Sequence, residues 1–151
     1  MSLFNRNKAD KEKELKKFVC EYKLDAPMSG NKGSIKVKRL EDEAPVLTYF
    51  LEEKGADYKV EGSLEVPEEV IGKIRHLVDT HLVAIRSGMV PVKVNDTSAE
   101  SFTVTIDGRY HSFTKEHITA QTNDDAVEKS WDILSAYIPE EERAGSQFFF
   151  S

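Results

Sequence analysis

The chain of 151 residues has a formal net charge of −6 and a hydrophobic content of 39%, which is enough to build one core without disulfides or metals. Its single cysteine, Cys20, excludes an intramolecular disulfide framework, and no apolar run is typical of a secretory signal or a membrane span. We therefore expect one cytoplasmic domain, residues 15–146, preceded by a flexible charged arm, residues 1–14, and followed by a Phe-rich tail, residues 147–151.

Charge is distributed unevenly along the chain. Residues 1–17 carry six basic and three acidic side chains, which leaves a net charge near −9 for the remainder. Acidic clusters recur in that remainder, for example at residues 41–43 and 140–142, and they would repel a phosphate backbone. The pattern therefore predicts that nucleic acid is not a partner.

The first part of the chain is predicted to form strands. Apolar residues alternate with polar ones in a first strand, at Phe18, Cys20, Tyr22 and Leu24, and in a second, at Ile35 and Val37. The turn-rich residues 25–33 between them favour a hairpin connection over a phosphate-binding loop, because strands lie on both sides. Cys20 is expected to be a small core residue and not a reactive thiol.

A third strand over residues 45–52 has apolar side chains on both faces. Val46, Thr48 and Phe50 alternate there with Leu47, Tyr49 and Leu51. This pattern predicts either a strand covered on both sides, or one that meets a helix on one face and a partner on the other. A short fourth strand is expected over Tyr58, Val60 and Leu64, interrupted by Gly62.

A first helix is predicted to begin at Pro67, which suits the first helical position and is followed by two glutamates. Its apolar residues follow at helical spacing, at Val70, Ile74, Leu77, Val78 and His81. Residues 82–85 fit either a further helical turn or a short strand. Residues 90–94 alternate around Pro91, which favours an edge segment.

The segment SFTVTIDGRYHSF, residues 101–113, indicates a β-hairpin. Asp107 and Gly108 are suited to the positive φ angles of a two-residue type I′ turn. That turn would pair Val104 with His111 and Phe102 with Phe113, so that His111 lies on the apolar face. A three-residue bulged loop is the alternative register, but it would turn Phe113 away from the core.

A second helix is expected after the hairpin, with Thr122 and Asn123 as capping candidates and Pro139 as its end. Its apolar stripe comprises Val127, Trp131, Leu134 and Ile138, and a solvated turn is expected over residues 140–145. Together these elements predict an α+β fold: an antiparallel sheet of five or six strands with two amphipathic helices on one face. Trp131 and Leu77 are predicted to pack over Phe102, Val104 and Phe113.

Two groups of polar residues are candidates for catalysis. His76 and Asp79 have the i, i+3 spacing of a metal-binding pair, but they supply only half of a site. His111 would be a general base if a nucleophile or a carboxylate lay beside it. Because no metal-binding, nucleophilic or cofactor motif accompanies these residues, we expect no cofactor and no resident metal.

Three consecutive phenylalanines, Phe148, Phe149 and Phe150, are the best candidates for an interaction site. They are expected either to pack on their own chain or to enter a protein partner or a second copy, forming a homodimer. The function predicted from the sequence is a non-enzymatic binding or protein-interaction module. The alternative is a small hydrolase or metal-dependent enzyme that uses His111, or His76 with Asp79.

The order of elements is similar to that of small bacterial proteins. The shared features are a strand meander, a helix, the T-x-x-x-D-G hairpin of residues 103–108 and an amphipathic last helix. This resemblance implies no activity, cofactor or site residue.

Overall fold

The computed structural model describes residues 17–85, 99–115 and 121–150. Within these ranges one six-stranded antiparallel sheet has the order β4-β3-β2-β1-β5-β6. The strands are β1 (Phe18–Ala26), β2 (Asn31–Arg39), β3 (Val46–Glu53), β4 (Tyr58–Glu65), β5 (Ala99–Ile106) and β6 (Arg109–Lys115). The helices are α1 (Glu69–Ile85), α2 (Gln121–Ser135) and the single turn α3 (Glu140–Arg143), and a 3-10 turn occupies Lys54–Ala56. The predicted α+β fold is confirmed.

The core lies between one face of the sheet and the helices α1 and α2. Strand pairing aligns Tyr22 with Ile35 on one side and with Phe102 on the other, so that buried residues form rows across the sheet. These strand residues join Ile74 of α1 and Leu134 of α2 in one hydrophobic cluster. Alternation in the strands and helical spacing in α1 and α2 therefore produce the same core.

The hairpin of β5 and β6 has the predicted register. Asp107 and Gly108 have φ angles of 52° and 74°, as a type I′ turn requires. Val104 pairs with His111 and Phe102 with Phe113, and the two phenylalanine rings stack with their centroids 6.3 Å apart. The bulged alternative is therefore excluded.

The expectation that Gly62 interrupts the fourth strand is wrong, because β4 runs without a break through it. Gly62 pairs with Tyr49 of β3, and a Cβ at Gly62 would lie only 2.6 Å from the hydroxyl oxygen of that tyrosine. The missing side chain leaves room for the Tyr49 ring across the sheet. The glycine is thus a packing feature and not a strand break.

The two faces of β3 have different surroundings. Leu47 and Leu51 are fully buried, whereas Val46, on the opposite face, is 38% exposed. On that opposite face the Phe50 ring lies below the ammonium groups of Lys32 and Lys59, at 5.9 and 5.7 Å. In the described ranges, helices α1 and α2 cover only the face of β3 that contains Leu47. The prediction that β3 is covered on both faces is therefore not confirmed.

The helices differ from their predicted bounds at both ends. Helix α1 begins at Glu69, after a turn in which the Val70 N–H donates to the Pro67 carbonyl, and it continues through residues 82–85. Helix α2 already includes Thr122 and Asn123, so these residues are not its caps. The capping prediction is wrong because the polar residues that favour caps also occur in the first turn of helices. A sequence pattern therefore places a helix boundary only to within one or two residues.

Helix α2 ends at Ser135, four residues before the predicted stop at Pro139. The Arg143 guanidinium donates to the carbonyls of Ser135, Ala136 and Ile138, and these contacts hold the following residues in a turn. The expected solvated turn over residues 140–145 instead contains α3. A distant arginine thus supplies the C-terminal cap.

Some predictions fall on other parts of the chain. The charged arm of residues 1–14 and the edge segment of residues 90–94 lie outside the described residues. Among the helices that the structure describes, none has a long enough apolar stretch to cross a membrane.

Candidate functional site

The site begins with a carboxylate on the core side of the sheet. Glu53 is the last residue of β3, in phase with Leu47, Tyr49 and Leu51, and its side chain is only 2% exposed. A buried carboxylate is costly unless hydrogen-bond donors surround it. The local sequence supplies none of them.

The C-terminal residues 146–150, which we call the tail from here on, supply the donors. The Ser146 hydroxyl donates to Oε2 of Glu53 at 2.5 Å, and the N–H groups of Gln147 and Phe148 donate to Oε1 at 2.8 and 2.9 Å. The N–H of Phe149 donates to Oε2 at 3.2 Å. Four hydrogen bonds from consecutive residues therefore fix the tail to the end of β3.

These bonds also set the ionisation of Glu53. Burial by itself raises its pKa, but the hydrogen bonds from Ser146 and from the three backbone N–H groups together outweigh burial, so the pKa is lowered. Glu53 is therefore an anion at neutral pH. Its charge strengthens each bond to the tail.

The segment before the tail is anchored separately. Arg143 donates to carbonyls at the end of α2, and the Tyr58 hydroxyl donates to the Glu142 carbonyl at 2.6 Å. Gly145 then has a φ of 91°, which turns the chain back towards Glu53 at low steric cost. The tail therefore leaves a fixed point and reverses direction over one glycine.

The phenylalanines pack on Trp131 of α2. The Phe149 and Phe150 ring centroids lie 5.4 and 5.6 Å from that of Trp131, and Phe149 is buried. Phe149 also lies against Gly33 of β2, where a Cβ would be 2.9 Å from the ring. The structure therefore places the tail on its own chain, while Phe148 remains 48% exposed.

The predicted position of Trp131 is corrected by this arrangement. Trp131 is only partly buried, and the ring contacts seen within the described ranges are with Tyr22, at 5.1 Å, and with the tail phenylalanines. It does not stack on Phe102 or Phe113. The reason is that Tyr22 and the tail supply aromatic partners for Trp131 that helical periodicity does not reveal.

Beside Trp131 lies an open cleft of about 300 Å³. Its walls combine aromatic and charged side chains: Tyr22, Leu24, Glu100, Lys115, Glu128, Trp131, Asp132, Phe148 and Phe149. We call it the Trp131 cleft. With three carboxylates and one ammonium group, its formal charge is −2.

Contacts among the charged groups show which of them are already paired. The Lys115 ammonium lies 2.9 Å from Glu128 and 3.9 Å from Glu100, and the Tyr22 hydroxyl donates to Glu100 at 2.9 Å. Burial by itself lowers the pKa of Lys115, but the neighbouring carboxylates raise it by a larger amount. The pKa is therefore raised overall, and the ammonium stays charged. The side chain of Asp132 forms no hydrogen bond or ion pair with any residue that the structure describes.

The histidines predicted from the sequence lie elsewhere. His111 and Asp79 line a cleft of about 340 Å³ beside Arg75 and Asp107, whose side chains are 3.3 Å apart. His76 is exposed and lines a different groove, so the structure does not bring His76 and Asp79 into one cleft. Across residues 17–85, 99–115 and 121–150, no three His, Cys, Asp or Glu side chains are placed to hold a metal ion.

The sequence identifies the tail phenylalanines as candidates for an interaction site, but it predicts Trp131 only as a core residue and gives no site role to Glu53, Glu100 or Asp132. One signal for Glu53 was present, since its position in β3 matches that of Leu51 and points inwards. The partners of Glu53 lie more than ninety residues away along the chain, so no local pattern could reveal them. The sequence matches no known family model and no curated protein.

Proposed function

We propose that this protein is a non-enzymatic binding module that takes a basic side chain, lysine or arginine, of a protein partner into the Trp131 cleft. The observation that carries this proposal is the combination of an aromatic wall with a net charge of −2. Aromatic faces attract cations, and carboxylates pair with them. The same combination disfavours a phosphate or carboxylate ligand.

The charges favour one position for the guest cation. Glu100 and Glu128 already share Lys115, whereas Asp132 is exposed at the cleft and unpaired among the described residues. A lysine ammonium would pair with Asp132, and its aliphatic stem would lie on Trp131 and Phe148. A volume of about 300 Å³ lies at the lower end of ligand pockets and suits one side chain.

A protein partner fits the rim of the cleft better than a free metabolite. Phe148 is 48% exposed beside the opening, so it offers apolar area outside the cleft itself. An aromatic side chain next to a charged pocket is a common anchor in protein interfaces. A homodimer through the tail stays a prediction, and the contacts of the tail with its own chain favour a different protein as partner.

The test uses two peptides that differ in one charge. A five-residue peptide with a central lysine flanked by alanines is titrated into the protein, and Trp131, the single tryptophan, reports binding by fluorescence and by its indole NMR signal. The matched peptide contains Nε-acetyllysine. We expect the lysine peptide to bind more tightly by about 1 kcal/mol, or roughly fivefold.

A pair of variants locates the binding. Asp132→Asn should lower the affinity for the lysine peptide severalfold. Asp125→Asn, at an exposed position of α2 that does not line the cleft, should leave this affinity unchanged. Equal response to both peptides, or no response to either, would contradict the proposal.

The enzymatic alternative stays a prediction. A metal-dependent enzyme that uses His76 with Asp79, or His111, predicts stoichiometric zinc in the purified protein. A hydrolase that uses His111 predicts instead that a metabolite raises the melting temperature and that His111→Ala abolishes this effect.

A further inference from the structure

We propose that Glu53 governs the Trp131 cleft, because the tail that it holds forms one wall of the binding site. The inference rests on the proposed function and adds its regulation: binding of a basic side chain and docking of the tail are coupled. Glu53 is then a positioning residue. It acts on the ligand only through the tail.

The coupling follows from two residues that both bind Glu53 and line the cleft. The backbone N–H groups of Phe148 and Phe149 bind the Glu53 carboxylate, and their side chains line the Trp131 cleft. Glu53 itself is not among the lining residues. Glu53 therefore has no direct contact with a ligand in the cleft, and these two phenylalanines connect it to the binding site.

The tail is joined to the rest of the molecule so that it can detach alone. Upstream of it, α3 is held by Arg143 at the end of α2 and by the bond from Tyr58 to Glu142, and neither contact uses Glu53. Between α3 and the tail lie the exposed residues Ala144 and Gly145. Without the Glu53 bonds, residues 146–150 would keep their contacts with Trp131 and Arg143 but would lose four hydrogen bonds, so docking of the tail would weaken while α3 stays in place.

Linkage makes the effect reciprocal. A ligand that contacts Phe148 and Phe149 binds the docked tail better than the released tail, so it shifts the population towards docking. By the same factor, complete release of the tail lowers the affinity of the protein for the ligand. A bound side chain would thus further stabilise the docked tail, and release of the tail would remove one wall of the binding site.

The experiment compares full-length variants with the lysine peptide described above. In Glu53→Gln the side-chain NH₂ group faces the N–H groups of the tail and cannot accept hydrogen bonds from them. We therefore expect the NMR signals of the tail to shift and the affinity for the peptide to fall at least fivefold. The matched control is Glu52→Gln. Glu52 is the adjacent residue of β3, lies on the opposite face, and its carboxylate forms an ion pair with Lys32, at 3.8 Å. It should leave both readouts unchanged.

A milder variant covers the case in which Glu53→Gln does not fold. Ser146→Ala removes the hydroxyl that donates to Glu53 and accepts the Phe150 N–H, and it should lower peptide affinity in the same direction. Normal peptide affinity in a variant whose tail signals show release would overturn the coupling and leave the proposed function intact. Failure of the unmodified protein to bind the peptide would overturn both.

Discussion

Replacing Glu53 by glutamine should cost a large part of the stability of this protein. Each hydrogen bond to a charged group contributes about 1.5–3 kcal/mol, so the four bonds from the tail would sum to roughly 6–12 kcal/mol if they were independent. They are not independent, because all four bonds share one carboxylate and are lost together when the tail is released. The loss is therefore limited to the net free energy of docking, which includes burial of Phe149 at about 1.5–3 kcal/mol.

We expect Glu53→Gln to lower the free energy of unfolding by about 3–5 kcal/mol, which corresponds to the loss of roughly one net hydrogen bond to a charged group together with the burial of Phe149. With a urea slope of about 2 kcal/mol per molar, the midpoint would fall by roughly 1.5–2.5 M. The assay is urea unfolding followed by fluorescence of Trp131, whose ring contacts Phe149 and Phe150 and so reports the tail.

Glu52→Gln is the control for this measurement. It removes a negative charge from the next residue of β3, where a partly exposed ion pair with Lys32 contributes at most about 1 kcal/mol. Equal midpoints for Glu53→Gln and Glu52→Gln would refute the reasoning, since they would show that the tail bonds add nothing beyond a surface charge.

Three further predictions concern pH, packing and reactivity. The pKa of Glu53 is lowered in the folded state, so its stabilisation is complete above the ordinary glutamate pKa of about 4.3 and is lost as pH falls through the lowered value. Urea unfolding at several pH values should therefore show the difference between wild type and Glu53→Gln shrinking in acid; a difference independent of pH would argue against an ionised Glu53. Gly62→Ala should destabilise by about 1–3 kcal/mol, because its Cβ would meet the Tyr49 hydroxyl, whereas Gly72→Ala in α1, with open space around it, should stabilise by about 0.5–1 kcal/mol. Thermal melting of both variants checks this pair, and a shift in the same direction would contradict it. Burial raises the pKa of Cys20 to about 12, so a thiol reagent at pH 8 should label it only after unfolding; rapid labelling of the native protein would contradict the burial.

The parts of the fold that local chemistry determines could be predicted from the sequence. The Asp107–Gly108 turn specifies both the hairpin and its register, since few residue pairs accept two successive positive φ angles. Alternation around Cys20 and helical spacing around Leu134 likewise identify the buried faces. In each case the information lies within about ten residues.

The candidate site depends on contacts between distant parts of the chain. Glu53 meets Ser146 across ninety-three positions, and the Tyr22 hydroxyl reaches Glu100 across seventy-eight. The inward position of Glu53 in β3 could be predicted from the strand pattern, but the residues that bind Glu53 and Tyr22 could not. The end of α2 was predicted wrongly for a different reason: the Arg143 side chain donates to the Ser135 carbonyl, and the periodicity of apolar residues does not reveal a side-chain cap.

The most direct test of the central claim, that Glu53 holds the tail against Trp131, is amide hydrogen exchange at Gln147, Phe148 and Phe149. Their N–H groups donate to a buried carboxylate and should exchange far more slowly than that of the exposed Gly145. In Glu53→Gln the three amides should lose this protection while the core strands keep theirs. Unprotected tail amides in the wild-type protein, or protection that survives Glu53→Gln, would contradict the account.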